Sequence, residues 1–227
     1  MGTPVRSIIA EAVLDALALV LPVRCSGCGA PDRAVCEDCR RLFVGGVLRR
    51  ETEGLPVFSA APYGGATARI LASYKDGGRL DAAPALGSAL RHVLTQMPAP
   101  RDGPVLLVPV PTTRAAVRRR GVAPLEGIAR AARVPFLDAL AVGRRVVDQS
   151  RLGASDRAEN LAGAFRARRP LPGAQVVLLD DIVTTGATLR EAARALGEAG
   201  ALVQSAVTLA ATPRHHAPPT PLHQKAE

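Results

Sequence analysis

Aromatic side chains are almost missing from this chain, with four Phe, two Tyr and no Trp among 227 residues. Any core must therefore be built from Ala, Val and Leu, and a hydrophobic content of 48% supplies enough of them. A single-strand nucleic-acid surface of the usual kind, with bases stacked on rings, has little to work with. Lysine is nearly absent as well. It occurs only at Lys75 and Lys225, so the formal charge of +9 is carried by arginine. That charge favours anionic partners such as nucleotides, pyrophosphate or nucleic acid, although an Arg- and Ala-rich composition weakens the inference. No apolar run is long enough for a membrane span, because residues 8–21 are interrupted by Glu11 and Asp15. No secretory signal is visible, and the chain reads as cytoplasmic. There is no Gly-x-x-x-x-Gly-Lys-[Ser/Thr] loop, which removes a P-loop nucleotide site, and no internal repeat. What remains is room for one α/β domain with a small appendage.

The stretch that organises the rest is residues 176–189, Val-Val-Leu-Leu-Asp-Asp-Ile-Val-Thr-Thr-Gly-Ala-Thr-Leu. Residues 176–179 form a continuously apolar run of the kind found in buried parallel strands, expected to end at Asp180 and Asp181. Val183, Thr184, Thr185, Gly186, Ala187 and Thr188 follow. Leu189, Ala192, Ala193 and Leu196 then recur at helical spacing. In an open α/β sheet, ligands settle at the carboxyl ends of strands. A loop of small residues entering a helix offers backbone N–H groups to an anion. Two carboxylates beside it can accept hydrogen bonds from a diol or hold a hydrated Mg2+. A phosphate next to a vicinal diol describes a ribose 5-phosphate. The competing reading is a solvated acidic pair that only forms a turn.

All four cysteines fall close together, as Cys25-x-x-Cys28 and Cys36-x-x-Cys39. Two such knuckles place four thiolates for tetrahedral coordination. Two redox pairs or two disulfides are the alternatives, and a cytoplasmic setting makes disulfides rare. The site reads as structural zinc without a catalytic role, because four protein ligands close it.

Along the chain, Ile8, Ile9, Val13, Leu17 and Val20 predict an amphipathic helix over residues 7–21, stopped by Pro22. Residues 49–54 read as a linker, 57–62 as a strand, and 66–74 and 82–94 as helices. Lys75 lies between those helices, either facing phosphate or solvated. A second apolar strand covers 105–110 and ends in Pro109-Val110-Pro111. Thr112, Thr113 and Arg114 follow, then Arg118-Arg119-Arg120, a cationic group suited to pyrophosphate or simply a basic surface. A helix is expected over 124–132 and a third strand over 139–146. The polar segment 148–160, with Gln149, Arg151, Arg157 and Asn160, has the character of a lid. Residues 161–166 should return to the sheet, and 202–209 should form its last strand. The tail 213–227 is proline-rich, and its His215-His216 pair is not read as a metal site. The domain division is then 1–54 (helix and four-cysteine zinc element), 55–212 (α/β domain) and 213–227 (flexible tail).

The acidic pair followed by Thr184-Thr185-Gly186-Ala187-Thr188 resembles the binding signature of type I phosphoribosyltransferases. Wider features resemble the ComF (ComFC, GntX-like) proteins associated with bacterial competence. These are the Cys-x-x-Cys pair, Tyr74-Lys75 with Gly77-Gly78, and Val108-Pro109-Val110-Pro111. Arg120-Gly121, Gln149, Leu152, Arg157 and Asn160 with Ala164-Phe165 extend the likeness over nearly the whole chain. The chain departs from that pattern after Gly121, where Val122-Ala123-Pro124 replaces the expected Phe-Asn-Gln.

The resemblance implies a parallel sheet flanked by helices that binds 5-phosphoribosyl-1-pyrophosphate (PRPP) with Mg2+. Asp180 and Asp181 would hold the ribose hydroxyls, and Val183 with residues 184–188 the 5-phosphate. Pro111, Thr112 and Arg114 would meet the pyrophosphate, with Arg151 or Arg157 closing over the site. Displacement at the anomeric carbon is the implied reaction, with an acceptor the sequence does not name. The alternative is a non-catalytic protein that uses the fold to bind single-stranded DNA or the competence and recombination machinery.

Overall fold

The structure is a computed structural model describing residues 23–98, 103–112, 123–143 and 163–213. The predicted helix at 7–21, Arg114 and the arginine run, the lid segment 148–160 and the tail beyond 213 lie outside the described residues.

The chain begins with the cysteine element and a short helix α1 (Glu37–Arg41). A hairpin of β1 (Leu48–Thr52) and β2 (Leu55–Pro62) follows, then α2 (Gly65–Lys75), a 3-10 turn and α3 (Ala83–Gln96). Next come β3 (Val105–Pro109), α4 (Pro124–Ala131), β4 (Leu140–Val142) and β5 (Phe165–Ala167). The domain closes with β6 (Gln175–Val183), α5 (Ala187–Glu198) and β7 (Leu202–Ala211).

Five strands form one sheet in the order β1-β2-β7-β6-β3, antiparallel only between β1 and β2. The fold is α/β with a mostly parallel central sheet flanked by helices. Val176, Val177, Leu178 and Leu179 are all buried, as expected for a strand covered on both faces. The other strands of the sheet supply Val57, Ala60, Val108, Ala206, Val207 and Leu209, and the helices add Ile70, Leu86, Leu90, Leu189 and Leu196. The core is thus the Ala-Val-Leu core that the shortage of rings required. Among the described buried side chains only Phe43, Phe58, Tyr74 and Phe165 carry rings.

Four expectations are corrected. Residues 49–54 are not a linker. They belong to a hairpin in which Leu48–Thr52 pairs with Leu55–Pro62 around a turn at Glu53 and Gly54, both at positive φ. The polar composition belongs to an exposed edge strand, which needs no alternating apolar face. The strand expected over 139–146 is only Leu140–Val142 among the described residues, and it does not join the central sheet. It pairs antiparallel with Phe165–Ala167, so that the stretch expected over 161–166 does not return to the sheet either. Finally, β6 does not stop before the acidic pair. Backbone pairing with β7 runs on through Asp180↔Thr208 to Val183↔Ala211, so the two carboxylates stand on the strand itself.

The small β4–β5 sheet is fastened to the domain by Glu191 of α5. Glu191 is buried and takes two bonds from the Arg194 guanidinium, both at 2.7 Å, and one from the Phe165 N–H at 3.3 Å. The Arg194 bonds hold its carboxyl below the usual range, against the effect of burial.

Candidate functional site

The C-terminal ends of neighbouring parallel strands β3 and β6 open into a cleft of about 510 Å3. The Val110 N–H donates to the Leu179 carbonyl at 2.9 Å and holds Pro111 and Thr112 beside the acidic pair. Pro111, Thr112, Asp180, Asp181, Thr184 and Thr188 all line this cleft, together with Lys75. The sequence motif and the strand-end prolines therefore meet at one place. Val183 is buried, and Thr185, Gly186 and Ala187 do not line the cleft.

The two carboxylates differ in environment because alternate strand residues point to opposite faces. Asp180 is 9% exposed and lies in register with buried Thr208, which in turn pairs with Ser59 through a 2.7 Å hydroxyl hydrogen bond. Its Oδ1 accepts the Asp181 N–H at 2.9 Å. Burial, helped by the adjacent Asp181 carboxylate, pushes the Asp180 carboxyl up to about 8. Asp181 accepts the Ile182 N–H at 2.9 Å and forms an ion pair with the Lys75 ammonium. Burial lowers the Lys75 ammonium's affinity for its proton, but Asp181 and Asp180 outweigh it and the net shift is upward.

The sequence leaves Lys75 either phosphate-facing or solvated, and the structure gives it a carboxylate partner. It ends α2, and the preceding Tyr74 anchors that helix by donating to the Pro124 carbonyl at 3.0 Å. A Cβ on Gly127 would come within 2.5 Å of the Tyr74 hydroxyl oxygen, which is why α4 carries glycine there. Tyr63 and Leu125 also line the cleft, and sequence reasoning does not single them out. They carry no motif, and only the fold brings them together.

The loop from β6 to α5 turns at Gly186, whose φ of 86° lies in the left-handed region. A side chain there would also strike the Thr52 methyl group. The Thr185 hydroxyl accepts the Ala187 N–H at 3.4 Å. Other amides of the first turn have no partner within the helix by construction, and the helix dipole favours negative charge beside them.

At the other end of the chain, the Sγ atoms of Cys25, Cys28, Cys36 and Cys39 all lie within 4.8 Å of one another. Tetrahedral zinc–thiolate coordination requires roughly 3.8 Å between sulfurs, from bonds of about 2.3 Å, so this cluster fits a metal such as zinc. None of the four forms a disulfide. Burial pushes the Cys25 thiol up, but N–H groups of Cys36 and Gly27, donating at 3.3 and 3.4 Å, help bring it down to about 6. Burial and the neighbouring sulfurs push Cys39 upward. Such crowding of sulfurs is relieved by a bound cation, which reverses the local electrostatics. Gly27 is required here too, since a Cβ would meet Cys39 Sγ at 2.7 Å. The element docks on α2 and the turn after it. Arg69 donates to the Gly27 carbonyl at 2.5 Å and Arg79 to the Arg24 carbonyl at 2.9 Å. No described helix is long and apolar enough to cross a membrane.

Residues 110–220 match the family model of the phosphoribosyl transferase domain, which encloses the acidic pair, its loop and the strand-end Pro111. This part of the chain is thus similar to the phosphoribosyl transferase domain. More particularly, the chain is similar over a short stretch to curated DNA utilization proteins. It is 43% identical over 58 residues to the DNA utilization protein YhgH of Salmonella typhi, a match covering 26% of each chain. With YhgH of Escherichia coli O157:H7 it is 41% identical over 64 residues, 28% of each chain. The chain thus spans about a quarter of the length of the curated relatives it matches. Among solved structures, that of the allosteric regulatory enzyme of purine biosynthesis shares 22% identity. The match covers 63% of this chain and 26% of that one with a TM-score of 0.31.

Proposed function

We propose that the cleft between β3 and β6 binds PRPP and that the chain is a phosphoribosyltransferase-like protein linked to DNA uptake. One observation carries this reading. The carboxyl groups of Asp180 and Asp181 share a cleft with Thr184 of the loop that enters α5 and Thr188 of its first turn. The proposal places a zinc-bearing element ahead of the β1–β2 hairpin, a ligand-binding domain that includes that hairpin and runs to 212, and a tail at 213–227, in a cytoplasmic protein.

In this reading Asp180 and Asp181 accept hydrogen bonds from the ribose hydroxyls, while the amides and hydroxyls of residues 184–188 hold the 5-phosphate. Pro111 and Thr112 shape the place for pyrophosphate, and Arg114 is assigned to its charge. Transfer would form a bond from the acceptor to the anomeric carbon as the carbon–oxygen bond to pyrophosphate breaks. Its electron pair leaves with the pyrophosphate. Mg2+ suits this oxygen-rich site and would supply charge neutralisation at the phosphate oxygens. Lys75 must leave Asp181 for the ribose hydroxyls to enter. Gln149, Arg151, Arg157 and Asn160 are assigned to a lid. Zinc at the four cysteines is structural. Calorimetric titration with PRPP and Mg2+ tests the binding step, and no heat of binding from the folded protein would contradict it.

A second reading is favoured by the relatives' name, DNA utilization protein, and by the formal charge of +9. It is a nucleic-acid-binding protein that uses the fold without transfer. Binding would run through arginine–phosphate contacts and fall by at least about tenfold between 50 and 200 mM salt. Fluorescence titration of a labelled single strand at the two salt concentrations measures it. Absent or salt-insensitive binding removes this reading.

A further inference from the structure

We infer that Arg50 is a positioning residue for the anion-binding loop, a role that lies outside the matched domain at 110–220. The inference rests on the ligand reading above. Arg50 stands on β1, at the edge of the sheet, yet its guanidinium reaches the far end of β6. Its Nη2 donates to the Thr184 carbonyl at 2.9 Å and its Nη1 to the Thr212 carbonyl at 3.5 Å. The Thr212 N–H donates in turn to the Val183 carbonyl at 3.0 Å. One side chain thus ties the residue after β6 to the residue after β7.

This contact sets a direction. In a trans peptide the carbonyl and the next N–H point opposite ways. With the Thr184 oxygen held toward β1, the Thr185 N–H is directed away from β1. Thr184 itself lines the cleft. Two further residues of the same hairpin reinforce the hold. Thr52, on the same strand face as Arg50 by alternation, occupies the space a Gly186 side chain would need. Glu53 forms an ion pair with Arg190 in the opening turns of α5. Arg50, Thr52 and Glu53 therefore grip the carbonyl, the glycine and the helix that together make the anion site, and none of them lines the cleft.

The full chain, with Arg50→Ala and Arg50→Lys, tests this. Hydrogen exchange at the amides of residues 184–188 is measured without ligand, and calorimetry gives affinities for ribose 5-phosphate and for pyrophosphate. Arg50→Ala should speed exchange in the loop and weaken ribose 5-phosphate by about tenfold, the equivalent of one lost charged hydrogen bond. Pyrophosphate, held at the β3 end, should change by less than about twofold, and Arg50→Lys should restore part of the loss. A merely structural strap would lower both affinities together. Unchanged loop exchange in folded Arg50→Ala, or equal loss for the two ligands, overturns the inference. If the parent binds neither compound, the ligand reading fails and the exchange rates alone decide whether Arg50 braces the loop. Should Arg50→Ala not fold, Arg50→Gln carries the same comparison.

Discussion

Replacing Cys25 with Ser should abolish metal binding at the four-cysteine cluster and unfold the segment around residues 23–45. Structural zinc sites contribute roughly 10–16 kcal/mol of apparent binding free energy in small peptides, so this is the largest effect expected of any single change. Cys25 is the strongest place to test it. Its sulfur is buried, accepts two backbone N–H groups and sits with the other three sulfurs within 4.8 Å. A serine hydroxyl is a poor substitute for a soft thiolate. The consequence should extend beyond the element, because it docks through Arg69 onto the helix that ends in Tyr74 and Lys75. Chelation should therefore loosen the Lys75–Asp181 contact as well. One zinc per chain is expected on metal analysis. Protein purified without chelator, with reduced thiols and no zinc, contradicts this.

Asp180→Asn should raise thermal stability, and more so at pH 8.5 than at pH 5. The sign follows from the protons bound. The Asp180 carboxyl is pushed up to about 8 in the folded protein, while an unfolded aspartate titrates near 3.8. Between those values the folded state holds a proton that the unfolded state lacks, so stability falls as pH rises through that window. Above it the folded chain must keep a buried carboxylate beside Asp181, a cost on the order of a few kcal/mol. Asparagine removes that charge and still offers an oxygen to the Asp181 N–H. Glu191 does not confuse the comparison, because its carboxyl is held low and its contribution is lost only in acid. Melting curves of both proteins from pH 5 to 8.5 check the prediction. Parallel profiles would show that Asp180 ionises freely in the fold.

Much of this architecture is legible in the chain, and the failures share a cause. Buried strands such as 176–179, and helices with a repeating apolar face such as α5, carry their signal locally. The cysteine spacing and the Asp-Asp-x-x-Thr-Thr-Gly-x-Thr order do so too. The edge strand Leu48–Thr52 does not, since its polar residues face solvent and its only requirement is a hairpin partner. The continuation of β6 through Asp180 and Asp181 is hidden because pairing with Thr208–Ala211 on β7, rather than side-chain character, sets the strand's length. The short pair β4–β5 is decided by Glu191 and Arg194 on a distant helix. Lys75 is visible as an isolated lysine, but its partner Asp181 lies 106 residues away in sequence. Arg50 offers no signal, since an arginine on a polar strand looks like any other surface charge.

The central claim is that the β3–β6 cleft holds PRPP through its acidic pair. Calorimetric titration of the parent and of Asp180→Asn/Asp181→Asn with PRPP in the presence of Mg2+ tests it most directly. A hydrogen bond to a charged group such as the Asp181 carboxylate is worth about 1.5–3 kcal/mol, and 1.4 kcal/mol is one decade in affinity. The parent should bind, and the folded double variant should bind at least about tenfold more weakly. Equal affinities in the two folded proteins, or no binding by the parent, would contradict the account.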